Sequence, residues 1–328
     1  MKNLSLFKES IKSNLVFVSG LVRSGKSLLL PIIASFENTE KSSINLFLEQ
    51  IPCLNSINQI SDESTIYLLK EGINKMVYEN AIGRNANFRN NDFTSVWNYR
   101  EPMKYIERLS SEDGDNVIKE LEDTYSLFPL MIHNGLSHGN IWFAAFPSAK
   151  MIHMQRNPID IVHSWSGKKY GGDFYAQKRS STPTFEYKGS YLPYFAYGSE
   201  EKYLNSSGID RIIYSVDMMR RQHKSSYEAL DRKTQERILF VSHEQLLINT
   251  DTCIANISRF LKTKPSIDTA SVLLEQNCPR DELKETPFLT SGLSQKNKLK
   301  KIKSAASENS YGVLMNMCND FNSNNRTI

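Results

Sequence analysis

The sequence has little that would place it in a specialised class of protein. Its cysteines number four: Cys53, Cys253, Cys278 and Cys318. No two of them have the CxxC spacing of a zinc site or redox motif. No stretch reaches the ~20 apolar residues of a membrane helix, and charges at Lys8, Glu9 and Lys12 interrupt the start, unlike a signal peptide. We therefore expect reduced thiols, no metal, no membrane span and a cytoplasmic location.

The charge of the chain is also close to balanced. It has 40 basic and 36 acidic residues, a net charge of +4, and the basic residues are spread along most of its length. This distribution does not favour nucleic acid as a partner. The 328 residues include 40% hydrophobic and 23% charged residues, as in ordinary globular proteins. Without an internal repeat or long linker, we expect a single domain over residues 1–328, and the oligomeric state is left open.

Apolar patterns predict strands that alternate with helices. The expected strands cover residues 15–19, 44–48, 149–155 and 238–242. The expected helices cover residues 24–36, 61–82, the segment that starts at Pro158, 209–230 and 250–262. Alternation of this kind predicts an α/β fold with a central, mostly parallel sheet flanked by helices. Three segments lack such a pattern: residues 83–100 as a loop, 165–208 as an aromatic-rich loop or lid insertion, and 305–328 as a polar C-terminal tail.

The sharpest local signal is the segment Gly20–Ser27, which lies between a predicted strand and a predicted helix. Its glycines let successive backbone N–H groups point at one anion, and a helix N-terminus adds unpaired donors and partial positive charge. Arg23 and Lys26 supply full charges, while Ser24 and Ser27 supply hydroxyl groups. The segment therefore predicts a phosphate-binding loop, and it also satisfies the G-x-x-x-x-G-K-[ST] pattern of nucleotide hydrolases and kinases.

A second candidate anion site follows the predicted strand 149–155. Arg156 closes that strand, and Ser164 lies eight residues later in the following helix. A guanidinium group can donate two parallel hydrogen bonds to a phosphate, and a hydroxyl can add a third. A simpler interpretation is that Arg156 pairs with Asp160 in the same turn.

Together the two segments resemble the sulfotransferases that use 3′-phosphoadenosine 5′-phosphosulfate (PAPS). The family's first signature, x-[RK]-S-G-[TS]-[TS], is matched by Val22-Arg23-Ser24-Gly25-Lys26-Ser27. Its second, R-[ND]-P-x-[DA]-x-x-x-S, is matched over residues 156–164. Residues 240–261 are weakly similar to a late strand and helix of the family. The resemblance covers about residues 14–50, 128–165 and 236–262.

The resemblance implies a P-loop-like three-layer fold and in-line transfer of a sulfuryl group from PAPS to a hydroxyl or amine. The product would be 3′-phosphoadenosine 5′-phosphate (PAP), and no metal would be required. The residues implied to hold the 5′-phosphosulfate are Arg23, Ser24, Gly25, Lys26 and Ser27. Arg156 and Ser164 would hold the 3′-phosphate. A carbohydrate, a lipid, a small alcohol or a tyrosine remains possible as acceptor.

The acceptor needs a base, and the sequence offers three candidates. Glu49 is the first choice, because it ends the predicted strand 44–48 and because relatives with an Arg-Ser-Gly loop have a Glu in this region. Its alternative interpretation is a solvated acid. His133 is the second choice, and His138, more simply a loop histidine, is the third. His153 and His163 flank the Arg156 motif and are expected to be structural.

One departure from the family pattern keeps other functions open. Lys26 stands where the family has Thr or Ser, so the loop can also be that of a kinase or nucleotide hydrolase. Against this, the predicted strands do not end in an Asp that would hold magnesium; Glu49 is the one acid at a predicted strand end that could take this role. A non-catalytic binding protein on the same scaffold is the third hypothesis.

Two further segments have both a functional and a structural interpretation. The aromatic residues of 165–203 can line an acceptor pocket or simply pack on the core. A basic cluster near the C-terminus consists of Lys296, Lys298, Lys300, Lys301 and Lys303. It can reach the 3′-phosphate or form the solvated face of a helix.

Overall fold

The centre of the protein is a parallel sheet. The computed structural model describes residues 6–11, 14–124, 127–172, 181–280 and 295–324. Its strands are β1 Leu15–Gly20, β2 Ser43–Ile44, β3 Phe128–Met131, β4 Lys150–Gln155, β5 Thr184–Tyr187, β6 Ser190–Pro193 and β7 Ile238–Ser242. The central sheet has the order β2-β3-β1-β4-β7, with every neighbouring pair parallel. Strands β5 and β6 form a separate antiparallel hairpin.

Helices connect the parallel strands and cover both faces of the sheet. They are α1 Lys26–Ala34, α2 Leu46–Ser56, α3 Asp62–Ala81, α4 Pro102–Arg108, α5 Asp115–Thr124, α6 Gly139–Ala145, α7 Pro158–Gly167, α8 Glu200–Leu204, α9 Gly208–Ala229, α10 Arg232–Gln235, α11 His243–Ile248, α12 Thr250–Leu261, α13 Thr269–Glu275, α14 Gln295–Ala305 and α15 Glu308–Asn324. None of these described helices is both long and apolar enough to cross a lipid bilayer.

Alternate side chains of β1 enter two different cores. Leu15 and Phe17 pack with apolar residues of α3 and α6, whereas Val16 and Val18 pack with those of α1 and α12. Every β1 residue is buried, as expected for a central parallel strand with a helical layer on each face. The predicted α/β class, with a mostly parallel sheet between helices, is therefore confirmed.

The parallel arrangement brings the strand ends that carry the candidate site to one edge of the sheet. Gly20 at the end of β1 is in register with Met154 near the end of β4. Met131, which ends β3, lies beside the short edge strand β2 through its register with Ile44. The loops after β1, β2, β3 and β4 consequently meet at the carboxyl edge, where open α/β sheets bind ligands.

Most predicted elements agree with the structure. The strands expected at 15–19, 149–155 and 238–242 correspond to β1, β4 and β7. Helix α3 begins after Ser61, whose hydroxyl accepts a hydrogen bond from the backbone N–H of Ser64. Pro158 occupies the first turn of α7, as predicted, because that position needs no backbone N–H.

The region around Glu49 differs from the prediction. The strand expected over 44–48 is limited to Ser43–Ile44, and α2 begins at Leu46. The cause is Asn45, whose side chain accepts hydrogen bonds from the N–H groups of Phe47 and Leu48 and so caps the helix. Glu49 therefore lies in the first turn of a helix and not at a strand end.

The C-terminal segment also differs from the prediction of a polar tail. Residues 308–324 form α15, which packs against α7 and α9. Leu314, Met317 and Phe321 on this helix are buried. These apolar residues form a stripe along one face of the helix, and the asparagines between them had suggested a polar tail. In the aromatic segment, Leu192 and Phe195 join an apolar core, and residues 173–180 lie outside the described residues.

Candidate functional site

The loop after β1 has the backbone shape of an anion cradle. Gly20 has φ 145° and Gly25 has φ 102°, which side-chain-bearing residues rarely adopt. A Cβ at Gly20 would lie 2.5 Å from Ser24 Oγ. Helix α1 begins after Gly25 with no side-chain cap and no acidic residue in its first turn. Its first N–H groups are thus left for an oxyanion, next to the positive end of the helix dipole.

Lys26 lies beneath this loop and does not project from it. Its side chain is buried, and Nζ donates hydrogen bonds to the carbonyl oxygens of Gly20 (2.9 Å) and Leu21 (2.7 Å). Burial lowers the pKa of Lys26 to about 7, and the nearby Glu49 carboxylate partly opposes that shift. In this conformation the lysine holds the curl of the loop through its carbonyl groups.

Direct hydrogen bonds join the two predicted anion motifs. Arg23 Nε donates to Ser164 Oγ at 2.8 Å, and Arg156 Nη1 donates to the carbonyl of Arg23 at 2.9 Å. Trp165 Nε1 donates to the carbonyl of Val22 at 3.0 Å. These contacts span more than 130 residues of sequence, and they form because β1 and β4 are neighbours in the sheet. The loop after β1 is therefore bonded both to Arg156, just before α7, and to Ser164 and Trp165 within that helix.

Arg156 makes no direct ion pair with the adjacent Asp160 among the described residues, although the Asp160 charge opposes the lowering of its pKa. The Asp160 carboxylate instead pairs with Lys298 of α14, with 3.0 Å between Oδ1 and Nζ. Arg156 is itself buried, which lowers its pKa, and its Nε has no hydrogen-bond partner among the described residues. An unsatisfied buried donor of this kind is costly unless a ligand meets it. Asp160 is therefore a longer-range electrostatic neighbour of Arg156, and its direct ion-pair partner is Lys298.

The first two base candidates are in contact with each other. Glu49 Oε2 accepts hydrogen bonds from the backbone N–H of His133 (3.0 Å) and from His133 Nδ1 (2.8 Å). His133 follows β3 and Glu49 follows β2, and these strands are neighbours. The Glu49 side chain is 10% exposed and that of His133 is 28% exposed. Glu49 Oε1 is buried without a hydrogen-bond partner in the described structure.

Of the remaining histidines, His138 and His153 are buried, and His163 is half-buried. His138 lies with Nε2 3.8 Å from Cys53 Sγ, and burial lowers its pKa to about 4. His153 of β4 packs against His223 with 4.6 Å between ring centroids, and burial lowers its pKa to about 3. Both rings are consequently neutral near pH 7, as suits groups enclosed by apolar side chains.

The C-terminal lysines are mostly solvated. Lys298 is buried in its pair with Asp160, and the other four, Lys296, Lys300, Lys301 and Lys303, are exposed on α14. Lys298 therefore ties α14 to α7 behind the Arg156 turn. The ion pair with the half-buried Asp160 carboxylate explains why Lys298 is the one buried lysine of the five.

Sequence reasoning missed Glu244, which supports the same turn from β7. Glu244 Oε1 accepts a hydrogen bond from the N–H of Asn157 (2.9 Å), and Oε2 accepts one from Ser242 Oγ (2.9 Å). Burial raises the pKa of Glu244. The available signal was the position of this acid, two residues after the end of a buried strand at the ligand edge.

The site's chemistry is that of cations and N–H donors without clustered acids. No group of three or more His, Cys, Asp or Glu residues that could hold a metal occurs in the parts of the chain that the structure describes. Buried Ser24 Oγ also lacks a hydrogen-bond partner there. Unpartnered donors from Ser24 and Arg156, together with the open end of α1, fit a ligand with more than one oxyanion group.

Comparisons with solved structures found several similar chains. Similar solved structures include the sulfotransferase domain of the olefin synthase of Synechococcus PCC 7002, which is 14% identical, with a TM-score of 0.44 and 98% of each chain covered. Another is the sulfotransferase domain of the curacin biosynthetic pathway, 12% identical with a TM-score of 0.48, covering 94% of this chain and 98% of that one. A sulfotransferase of Alicyclobacillus acidocaldarius is 12% identical with a TM-score of 0.41, covering 94% and 95%.

Comparison of the sequence with protein families gives a match over most of the chain. No curated protein sequence matches this chain. Residues 14–314, however, match the family model described as the sulfotransferase domain. The match includes the loop after β1, Glu49, His133 and the Arg156 turn. The chain therefore belongs to the sulfotransferase family.

Proposed function

We propose that this protein transfers a sulfuryl group from PAPS to a hydroxyl or amine acceptor. The observation that carries the proposal is the union of the two anion motifs, through the Arg23–Ser164 and Arg156–Arg23 hydrogen bonds. PAPS has phosphate groups at both ends of its ribose, and a site with two linked sets of donors matches that spacing of charge better than a site for a single phosphate chain.

The residues present fit such a donor by their unsatisfied groups. Ser24 Oγ and Arg156 Nε are buried donors without a hydrogen-bond partner among the described residues. We assign the loop residues Arg23, Ser24, Gly25, Lys26 and Ser27 to the 5′-phosphosulfate. Arg156 and Ser164 are assigned to the 3′-phosphate. When bound, PAPS supplies the sulfuryl group and departs as PAP.

The Glu49–His133 pair is our candidate for removing the acceptor proton. A carboxylate only accepts hydrogen bonds, so His133 Nδ1 carries the proton that faces Glu49. In a neutral ring this leaves Nε2 without a proton and able to accept one. His133 is also the more exposed member of the pair. We therefore assign the proton acceptor to His133 and an orienting role to Glu49, reversing the order suggested by the sequence.

Calorimetric titration with PAP, compared with ATP plus magnesium, tests the donor. We expect PAP to bind without metal and ATP to bind weakly, because ATP has no 3′-phosphate for Arg156. Arg156→Ala should weaken PAP binding roughly 10- to 150-fold, the usual range for a hydrogen bond to a charged group. Arg232→Ala, at an exposed arginine on α10, is the matched control. Wild-type affinity of Arg156→Ala for PAP would contradict the proposal.

A kinase or nucleotide hydrolase is the second candidate, because residues 20–27 complete the Walker A pattern with Lys26. Tight binding of ATP with magnesium, and none of PAP, would favour it. One observation weighs against this alternative: the parallel strands end at Gly20, Ile44, Met131, Gln155 and Ser242, none of them an acid.

A further inference from the structure

A cavity of about 490 Å³ lies beside the candidate site, between α2, α3 and the segment 84–98. Its walls are of mixed character. Leu48, Ile51 and Leu68 provide apolar surface, and Asn45, Asn80 and Asn87 provide amide groups. Leu48 and Ile51 of α2 line the cavity, and Glu49 lies between them in the same helix without lining it. A ligand in this cavity would therefore share a helix with the Glu49–His133 pair.

Lys41 is an unusual member of the cavity wall. It is 6% exposed, and its ammonium group makes no hydrogen bond or ion pair with any residue in the described part of the chain. Lys41 Nζ lies over the ring of Tyr105, 5.5 Å from the ring centroid. Burial lowers the pKa of Lys41. A charged group this enclosed is costly unless an anion compensates it.

Nearby carboxylates are engaged elsewhere. Glu40 pairs with Arg108, with 3.0 Å between Oε2 and Nη2, and accepts a hydrogen bond from the backbone N–H of Lys41. Asp92 accepts hydrogen bonds from the N–H and hydroxyl of Thr94. Glu71 and Glu79, which line the cavity, have Lys8 at 2.9 Å and Lys75 at 3.9 Å as respective partners. Lys41 therefore has Glu40 and Asp92 as charged neighbours that are bonded to other groups, and it makes no direct ion pair of its own with the described residues.

We propose that this cavity binds the acceptor, and that the acceptor is a hydroxylated molecule with an oxyanion group that pairs with Lys41. The oxygen of Asn45 caps α2 and the nitrogen of Asn80 contacts Ser43, which leaves the Asn45 nitrogen to donate to sugar-like hydroxyl groups and the Asn80 oxygen to accept from them. A carboxylate and a phosphate are chemically equivalent partners for the ammonium group. Calling this ligand an acceptor rests on the proposed function, whereas the pairing of an anion with Lys41 does not.

The test measures the binding of three matched probes, glucose, glucuronate and glucose 6-phosphate, to protein saturated with PAP. PAP blocks the donor site, so a phosphate that binds there is displaced. We expect the two anionic sugars to bind at least tenfold more tightly than glucose. Lys41→Met should remove this difference. Lys75→Met, at an exposed lysine on the same wall, should preserve it.

Two outcomes would overturn the inference: equal affinity of wild type for the three sugars, or undiminished binding of the anionic sugars by Lys41→Met. Loss of sugar phosphate binding in Arg156→Ala but not in Lys41→Met would place the anion in the donor site and also contradict it. Lys41→Met should fold, because it replaces a buried charge that makes no hydrogen bond or direct ion pair in the described structure. Met76→Trp, which narrows the cavity and leaves Lys41 intact, is a second variant and should also abolish binding.

If PAP does not bind to the wild type, the proposed function fails, and the probes are then titrated without it. A preference for anionic sugars that depends on Lys41 would still support the site. The two proposals can thus fail independently.

Discussion

At the scale of single residues, the site depends on side chains whose polar groups are enclosed and only partly satisfied. Lys26 is bonded to two carbonyl groups beneath the loop. Arg156 Nε and Ser24 Oγ are buried without partners in the described structure. Buried donors without partners cost about 1–3 kcal/mol each. We expect a bound ligand to accept hydrogen bonds from these donors and so to offset this cost. Because the charge of Lys26 depends on pH, the affinity of the site should depend on pH as well.

The first prediction concerns proton uptake by Lys26. Burial lowers its pKa to about 7, so at pH 8 most of the lysine is neutral in the free protein. A bound phosphate favours the charged form and raises that pKa. Binding of PAP at pH 8 should therefore take up a proton, and the affinity should fall as the pH rises above 7. Calorimetry in Tris and HEPES should give binding enthalpies that differ between the buffers, and Lys26→Met should remove the difference. Equal enthalpies for the wild type would contradict the prediction.

The second prediction separates the roles of Glu49 and His133. If His133 accepts the proton, His133→Ala should lower kcat by about 10²–10⁴-fold and leave PAP affinity nearly unchanged. Added imidazole should restore part of the activity, which a purely structural histidine would not allow. Glu49→Gln should retain more activity than His133→Ala, because the amide oxygen can still orient the ring. If Glu49→Gln is inactive and His133→Ala is active, Glu49 is the base.

At the scale of elements, the site is built from turns that follow parallel strands. Each turn begins where a buried strand ends, and a helix or a short helical turn follows it. The turn after β1 is the most constrained, because Gly25 combines a positive φ with close packing against His243 of α11. The turn after β4 is held from behind by Glu244. Constraint from several elements pre-organises the donors and reduces the entropy lost when a ligand binds.

The third prediction tests the constraint at Gly25. A Cβ there would lie 2.4 Å from His243 Cδ2 at φ 102°. Gly25→Ala should lower the free energy of unfolding by about 1–3 kcal/mol and weaken PAP binding, because the loop must open to relieve the contact. Gly312→Ala is the control: a Cβ at this helical position meets open space, so stability should rise by about 0.5–1 kcal/mol. Urea denaturation measures both changes. Unchanged stability of Gly25→Ala would show that the loop adapts freely.

At the scale of the whole molecule, the C-terminal helices stabilise the site from a distance. Helices α14 and α15 pack on α7, which carries Ser164, and Lys298 of α14 pairs with Asp160 of α7. Leu314 of α15 is fully buried in the cluster that also contains Ile161 and Val162 of α7. The position of Ser164 relative to Arg23 therefore depends on residues 150 positions later in the chain.

The fourth prediction follows from that packing. Leu314→Ala should lower the free energy of unfolding by about 2–5 kcal/mol through the cavity it leaves. PAP affinity should fall as well, because α7 loses a supporting contact. Asn316→Ala, on the exposed face of the same helix, should change stability by less than about 0.5 kcal/mol. A stable Leu314→Ala variant would mean that α15 is not part of the cooperative core.

The sequence by itself determined the features that depend on neighbouring residues. The curl of Gly20–Ser27 and the start of α7 at Pro158 follow from glycine conformations and from the lack of an N–H in proline, so their local patterns were enough to predict them. The same holds for the alternation of strands and helices that indicated the fold class. Asn45 also acts locally, but its capping signal was outweighed by the apolar residues after it, and α2 was mistaken for a strand.

Only the tertiary structure decided which distant groups meet. Glu49 contacts His133 across 84 positions, Asp160 pairs with Lys298 across 138, and Lys41 faces a cavity formed by helices that follow it in the chain. Such contacts depend on the order of strands in the sheet and on which helix face is buried. Neither can be derived from the spacing of residues, because many arrangements of the strands and helices are compatible with the same spacing. Only the packing of the whole chain selects the arrangement in which the apolar faces cover one another.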